Sequence, residues 1–252
     1  YVPFTGNMSG MLIAEYIMRE RCATNTMPEN PALVKTIVTT NLADQMTKEY
    51  GVKLIEVLTG FKFIGEQIKL FEQTGSNNYV FGLEESYGCL AGTHARDKDA
   101  VVASMLFAEM ICYYNYHGIG IYQRLMEIYD KFGFVFDINV STAYSGLNAM
   151  KEMNAVVDKM KEIKIDDIAG IKVLATRDYS KAQKTLANGE IENIDSPLTN
   201  AVYYELEGGS FVCVRPSGTE PKLKVYYSLK CDNMEGAPQL FEKVKSDFEK
   251  YL

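Results

Sequence analysis

An alternation of two hydrophobic periods narrows the folds open to this chain. Three short apolar runs, TIVTT from Thr36 to Thr40, KLIEVL from Lys53 to Leu58 and YVFGL from Tyr79 to Leu83, read as strands. The stretches between them have the period of helices. Leu42, Met46 and Tyr50 recur at intervals of four before Gly51, and Ile64, Ile68 and Phe71 share a face between Lys62 and Gln73. Strands that alternate with helices return to the sheet by crossover connections, so the sheet they build is largely parallel. A helix from Met8 to Cys22, with Asn7 as its N-cap, precedes this unit. Two more follow, from about Lys98 to Tyr116 and from about Ile121 to Phe132. In the longer of these, Val101, Met105, Ala108 and Cys112 fall at helical spacing and read as the face turned to the core.

The rhythm changes after Gly133. The order becomes a strand (FVFDINV, from Phe134), a helix from about Gly146 to Ile163, a strand from Ile171 to Thr176, an irregular polar stretch, and a strand from Ala201 to Leu206. Glu207-Gly208-Gly209 then turns into SFVCVR, which is followed by KLKVYYSL and a last helix with Phe241, Val244, Phe248 and Tyr251 on one face. Strands joined by hairpins, with helices at the ends, predict an antiparallel α+β domain. The expected architecture is thus a mixed, mostly parallel α/β/α sandwich over 1–132 followed by an α+β domain with an antiparallel sheet over 133–252.

Composition restricts function more than fold. A formal net charge of −7 argues against nucleic acid and anionic membranes as partners. It also opposes a phosphorylated ligand at long range, so any anion site must bring its own positive charge. Cys22, Cys89, Cys112, Cys213 and Cys231 are odd in number and form no CxxC pair, which disfavours a disulfide framework or a zinc site and suits a cytoplasmic protein. The apolar runs are too short to span a bilayer, and no signal-peptide layout is present. The chain starts Tyr1-Val2-Pro3-Phe4, without an initiator methionine, and is read as a fragment.

Four loops carry chemistry. Arg215 to Lys222, RPSGTEPK, lies between two strand runs and offers Ser217, Thr219, the permissive Gly218 and cations at Arg215 and Lys224. Such an inventory suits an anion cradle, in which backbone N–H groups, hydroxyls and a guanidinium fork converge on phosphate. A Pro/Gly hairpin with incidental charge accounts for the same residues. Thr59-Gly60-Phe61-Lys62 and the segment from Glu84 to Thr93 follow strands, where open α/β sheets bind ligands. Taken alone, Glu84, Glu85 and Ser86 equally fit a solvated acidic loop, Thr59 a helix cap and Lys62 a surface charge. In His94-Ala95-Arg96-Asp97-Lys98-Asp99 two readings stand. Lys98 balances an anion at a helix start, or Asp97 and Asp99 serve as first-turn carboxylates with Lys98 in solvent. His117, at a helix end, is not expected to be catalytic. Asp97, Asp99, Asp166 and Asp167 do not cluster as an octahedral oxygen site, so no metal ligand is assigned.

RPSGTEPK between two strands near the C-terminus, with Gly82-Leu83-Glu84-Glu85-Ser86-Tyr87-Gly88 upstream, resembles the α-D-phosphohexomutases, the phosphoglucomutase and phosphomannomutase family, and the similarity runs the length of the chain. The resemblance implies the third (1–132, sugar-recognising) and fourth (133–252, phosphate-binding) domains of a four-domain enzyme that moves a phosphoryl group between the 1- and 6-positions of a hexose through a 1,6-bisphosphate. It implies that Arg215, Ser217, Gly218, Thr219 and Lys224 hold the nonreacting phosphate. Glu84 and Ser86 would bind sugar hydroxyls, with Thr59, Gly60, Lys62, His94 and Arg96 lining the pocket and Lys98 acting near the transferring group. The family's phosphorylatable serine and magnesium-holding acidic run do not occur here. Mg2+ and glucose 1,6-bisphosphate are therefore implied only for the full-length enzyme, the chain alone is expected to be inactive, and its partners are a hexose phosphate and the missing N-terminal half. The EESYG form resembles the glucose-type branch, with a phosphopentomutase of the same family as an alternative. A stand-alone sugar-phosphate binding or regulatory module is the rival from another class.

Overall fold

Thr5 sets the start of the first helix, since its Oγ1 accepts the Met8 N–H at 3.2 Å; α1 runs over Gly6–Ala23. Asn7 is not the cap. It is buried inside the helix and its Oδ1 accepts the Thr40 N–H instead. The computed structural model describes residues 3–218 and 220–252. Contacts divide the chain into two units, Tyr1–Gly133 and Phe134–Leu252.

In the first unit α1 is followed by β1 (Pro31–Thr36), α2 (Leu42–Glu49), β2 (Lys53–Val57), α3 (Phe61–Thr74), β3 (Asn78–Leu83), β4 (Cys89–Ala91), α4 (Ala100–Tyr116) and α5 (Ile121–Phe132). The sheet order is β2-β1-β3-β4, with β1 parallel to both neighbours and β4 antiparallel to β3. Successive side chains alternate between faces. Ala32 and Val34 pack with Ile64 and Ile68 of α3 on one face, and on the other the Leu83 side chain abuts Gly10 of α1. Helices α1 and α5 contact each other, and each contacts both α2 and α4. The mixed, mostly parallel sheet between helical layers is the architecture that the alternation of periods implies.

Three sequence expectations change here. Only Thr36 of TIVTT is strand, because β1 begins at Pro31 and the chain turns after it. The Ile37 N–H still bonds the Val57 carbonyl at 2.8 Å, but the Thr39 N–H folds back on the Thr36 carbonyl at 3.0 Å. Buried Lys35 holds the turn through the carbonyls of Thr39 and Thr40 and the Asn41 side chain. The segment from Glu84 to Thr93 is a hairpin arm, since β4 returns along β3. Helix α4 starts two residues later than expected, and its Val101 and Met105 are 81% and 58% exposed, while Met110 and Tyr114 are its buried residues.

The second unit contains β5 (Phe134–Ala143), α6 (Ala149–Glu162), β6 (Asp167–Ile168), β7 (Ile171–Asp178), β8 (Gln183–Leu186), β9 (Ile191–Asn193), β10 (Val202–Leu206), β11 (Phe211–Pro216), β12 (Lys222–Cys231) and α7 (Ala237–Phe248). The antiparallel sheet runs β5-β12-β11-β10-β7-β8-β9, with β6 paired to β7. Its core packs Met153, Val157 and Met160 of α6 and Phe241, Val244 and Phe248 of α7 against Val202, Val214, Val225 and their neighbours. The polar stretch after β7 is not irregular: β8 and β9 form a hairpin within it, carried by backbone pairing rather than by an apolar pattern. Helix α6 is shorter than the span from Gly146 to Ile163.

Candidate functional site

In the first unit the loops after β2 and β3 meet. Gly60, at φ 120, leads into α3 and donates its N–H to Glu84 Oε1 at 3.1 Å. Only a residue tolerant of positive φ sits there without strain. Glu84 is 8% exposed, and its own N–H closes the hairpin on the Gly88 carbonyl at 2.8 Å. Its carboxylate thus lies at the N-terminal end of α3, where a negative charge is favoured. Lys98 Nζ stands 4.0 Å from Glu84 Oε2, 2.8 Å from Asp97 Oδ1 and 5.3 Å from the centre of the Phe61 ring. A side chain on Gly88 would intrude: its Cβ would lie 2.7 Å from Glu84 Oε2 and 2.8 Å from Lys98 Cδ. Gly60, Glu84 and Lys98, chosen from three separate motifs, therefore share one small region.

Ser86 is exposed in the same turn, and Thr59 is half-buried just before Gly60. Tyr87 adopts φ 68, unusual for a residue with a Cβ, and its hydroxyl donates to the Phe4 carbonyl at 2.9 Å. Gly6 backs the turn so closely that a methyl group there would overlap the Glu85 carbonyl. Sequence reasoning gave no role to Gly6, Tyr87 or Phe61; a glycine preceding a helical run was the available sign. Other candidates turn elsewhere. Arg96 grips both oxygens of Glu72 on α3 at 2.7 and 2.6 Å and the Thr93 carbonyl at 2.6 Å. Lys62 lies over the Phe63 ring, with Nζ 4.8 Å from its centre. His94 Nε2 is 2.8 Å from Asp99 Oδ2, and Asp99 Oδ1 caps α4 by accepting the N–H groups of Val101 and Val102. The bond to His94, followed by these backbone bonds, holds the Asp99 carboxyl below its usual pKa. Burial pushes the nearby Cys89 thiol up to about 12, so it is no nucleophile at neutral pH.

In the second unit β11 and β12 place Arg215 directly opposite Lys224. Like charges in facing positions repel. Arg215 Nη1 donates to the Tyr226 hydroxyl at 3.4 Å, and among the described residues neither cation has a carboxylate within ion-pair distance. The intervening loop is tied by Ser217 N–H to the Lys222 carbonyl at 2.8 Å and by Lys222 N–H to the Glu220 carbonyl at 2.7 Å. Glu220 pairs with Lys222 at 2.9 Å, and that contact holds its carboxyl below the usual range. Gly218 is exposed; Thr219 lies outside the described residues.

Comparison with known proteins decides the family. Residues 5–132 match the model of the phosphoglucomutase/phosphomannomutase α/β/α domain III, and 152–232 match that of the phosphoglucomutase/phosphomannomutase C-terminal domain. The chain belongs to the phosphoglucomutase/phosphomannomutase family. Among curated relatives in this family, phosphoglucomutase from Staphylococcus haemolyticus is 33% identical over 250 residues, covering 99% of this chain and 43% of that protein. The enzyme of Staphylococcus saprophyticus is 31% identical over 241 residues, covering 95% and 43%. The chain therefore spans less than half the length of these relatives. The fold is shared with parafusin, a phosphoglucomutase from Paramecium (TM-score 0.66, 18% identity, 98% of this chain and 41% of that one). It is shared as well with a phosphoglucomutase/phosphomannomutase family protein from Burkholderia thailandensis (TM-score 0.57, 14% identity, 98% and 41%). Among the described residues no three His, Cys, Asp or Glu come together as metal ligands, and no helix is long and apolar enough to cross a membrane.

Proposed function

We propose that this chain is the hexose-phosphate-recognising part of a phosphoglucomutase, the third and fourth domains of a longer enzyme that moves a phosphoryl group between the 1- and 6-positions of a hexose. Sugar hydroxyls are read in the first unit. A buried carboxylate steadied by the Gly60 N–H has the acceptor chemistry that suits sugar hydroxyls, and Ser86 adds a further donor and acceptor. Lys98, beside that carboxylate, supplies positive charge to the transferring phosphoryl group. Phosphate is gripped in the second unit by Arg215, Lys224, Ser217 and the backbone around Gly218, with Thr219 assigned to the same loop.

The observation that carries this reading is the facing pair Arg215 and Lys224, two cations set side by side, neither within ion-pair distance of a carboxylate among the described residues, with Glu220 of the loop paired to Lys222 instead. Such an arrangement repels itself until an anion arrives. His94 and Arg96 act at one remove, through Asp99 and Glu72, and Lys62 is left as a surface charge. Magnesium and the phosphoserine donor belong to the preceding half of the parent, and no metal is assigned to this chain's residues. Five cysteines outside any disulfide support a cytoplasmic setting. Calorimetric titration with glucose 6-phosphate tests the proposal. Arg215→Ala removes charge-assisted bonds worth roughly 1.5–3 kcal/mol each, so affinity should fall about tenfold or more, and equal binding by variant and wild type would reject the cradle. Glucose 6-phosphate bound more weakly than ribose 5-phosphate would favour a pentose-phosphate enzyme.

A further inference from the structure

Helix α4 carries an apolar stripe that nothing in the described structure covers. Val101, Met105, Ala108 and Cys112 follow one another at helical spacing, and all four are exposed, Val101 and Met105 by 81% and 58%. A helix apolar on all sides ordinarily has cover on all sides. Beside the stripe, Ala103, Phe107 and Ile111 of α4 form a groove with Ser9 and Ile13 of α1, floored by Cys89. Glu109 is the single charged residue between Ala100 and Tyr116, and the Tyr16 hydroxyl already engages it at 2.8 Å. A partner for this face is apolar.

From these features we infer that α4 and its groove with α1 are the dock for the polypeptide preceding α1 in the parent enzyme. The inference rests on the reading of this chain as part of a longer phosphoglucomutase. Two observations select that occupant. The chain aligns with 43% of the length of its curated relatives and matches a domain numbered third, so in the proposed parent further family sequence precedes it. The groove wall also includes Ser9 and Ile13, in the first half of α1, so a chain entering that helix arrives beside the groove. A segment tethered there faces a high effective concentration of its own dock, and an apolar patch of this kind is the usual mark of an interaction surface.

Cys112 on the stripe and Cys22 near the end of α1 are both exposed free thiols, so maleimide labelling tests the inference with an internal reference. In the 252-residue chain the two should label at comparable rates. In the parent, expressed from its complete reading frame, Cys112 should slow by about tenfold or more relative to Cys22, because labelling then requires opening of the covered face. Val101→Glu should lower the melting temperature of the parent and leave that of the 252-residue chain unchanged. Equal labelling of Cys112 in parent and chain would overturn the docking inference while leaving the family reading intact. A reading frame with no upstream domains would overturn both. Sedimentation of the 252-residue chain as a dimer with Cys112 protected would assign the face to a second copy and overturn the proposed occupant.

Discussion

A methyl group at Gly88 would stand within 2.8 Å of both the Glu84 carboxylate and the Lys98 stem. Lys98 is exposed and can swing away, but Glu84 is buried and held by the Gly60 N–H, so the strain falls on that bond. Gly88→Ala should therefore cost about 1–3 kcal/mol, as overpacking does, and speed hydrogen exchange at the Gly60 amide. Gly120→Ala, where a side chain meets open space at an ordinary φ of −72, serves as the reference, and unchanged exchange at Gly60 would count against the coupling of the two loops. Asp99 makes a second case. Its carboxyl caps α4 and bonds His94, and its pKa lies below the unfolded value. Its contribution is complete above about pH 4, the ordinary Asp value, and is lost as pH falls toward the folded pKa. Asp99→Ala should destabilise the first unit at neutral pH by removing the cap of α4, and the gap to wild type should narrow in urea titrations below about pH 4. A gap that widens instead would exclude Asp99 as its source. That Glu84 and Lys98 sit in loops beside the sheet was legible from motif and position, whereas the direction of Arg96 was not. Its guanidinium pairs with Glu72, 24 residues earlier, and a side chain's reach toward a partner on another element leaves no local pattern.

At the scale of elements, burial and strand are separable, and the β1 turn shows why. TIVTT looks like a buried strand because Ile37, Val38, Thr39 and Thr40 are all buried, yet the backbone there is a turn. Lys35 makes this tenable. Its fully buried ammonium bonds the Thr39 and Thr40 carbonyls and Asn41 Oδ1, with Glu56 at 3.4 Å and Asp44 at 3.8 Å. Lys35→Met should take the ammonium from those acceptors and cost about 3 kcal/mol, the scale of a broken buried charge network, as read from the urea midpoint. Lys53→Met, on the exposed side of β2, should cost less than about 0.5 kcal/mol, and equal costs would reject the structural role. The strands β2 and β3 with the helices α2 and α3, and the hairpins of the second unit, were legible because period and turn residues repeat over whole elements. The strands β4, β8 and β9 were not, since three or four residues in exposed or mixed settings establish no period. Helix α4 misled for a different reason: its apolar stripe is genuine, but it marks a face that the described residues leave open.

For the molecule as a whole, the proposed reading separates recognition from chemistry. Phosphoryl transfer needs a donor, an acceptor and charge neutralisation held together. On the proposed reading Arg215, Lys224, Glu84 and Lys98 position an acceptor and offset charge. None of them is a phosphoryl donor: the buried Cys89 is held as a thiol, and the exposed serine of the sugar turn, Ser86, has no base within hydrogen-bond reach among the described residues. On the proposed reading the donor lies in the remainder of a parent of which comparable relatives are more than twice this length. The 252-residue chain should then bind glucose 6-phosphate and leave it unchanged. Phosphorus NMR of the sugar phosphate over hours with stoichiometric chain measures this directly, and adding the purified upstream half, phosphorylated on its donor serine, with magnesium should restore formation of glucose 1-phosphate. Turnover by the chain alone would move the nucleophile into these residues, with Ser86 and Ser217 the first to substitute by alanine. Binding without turnover, and no rescue by the upstream half, would instead favour a sugar-phosphate sensor built on the same two loops.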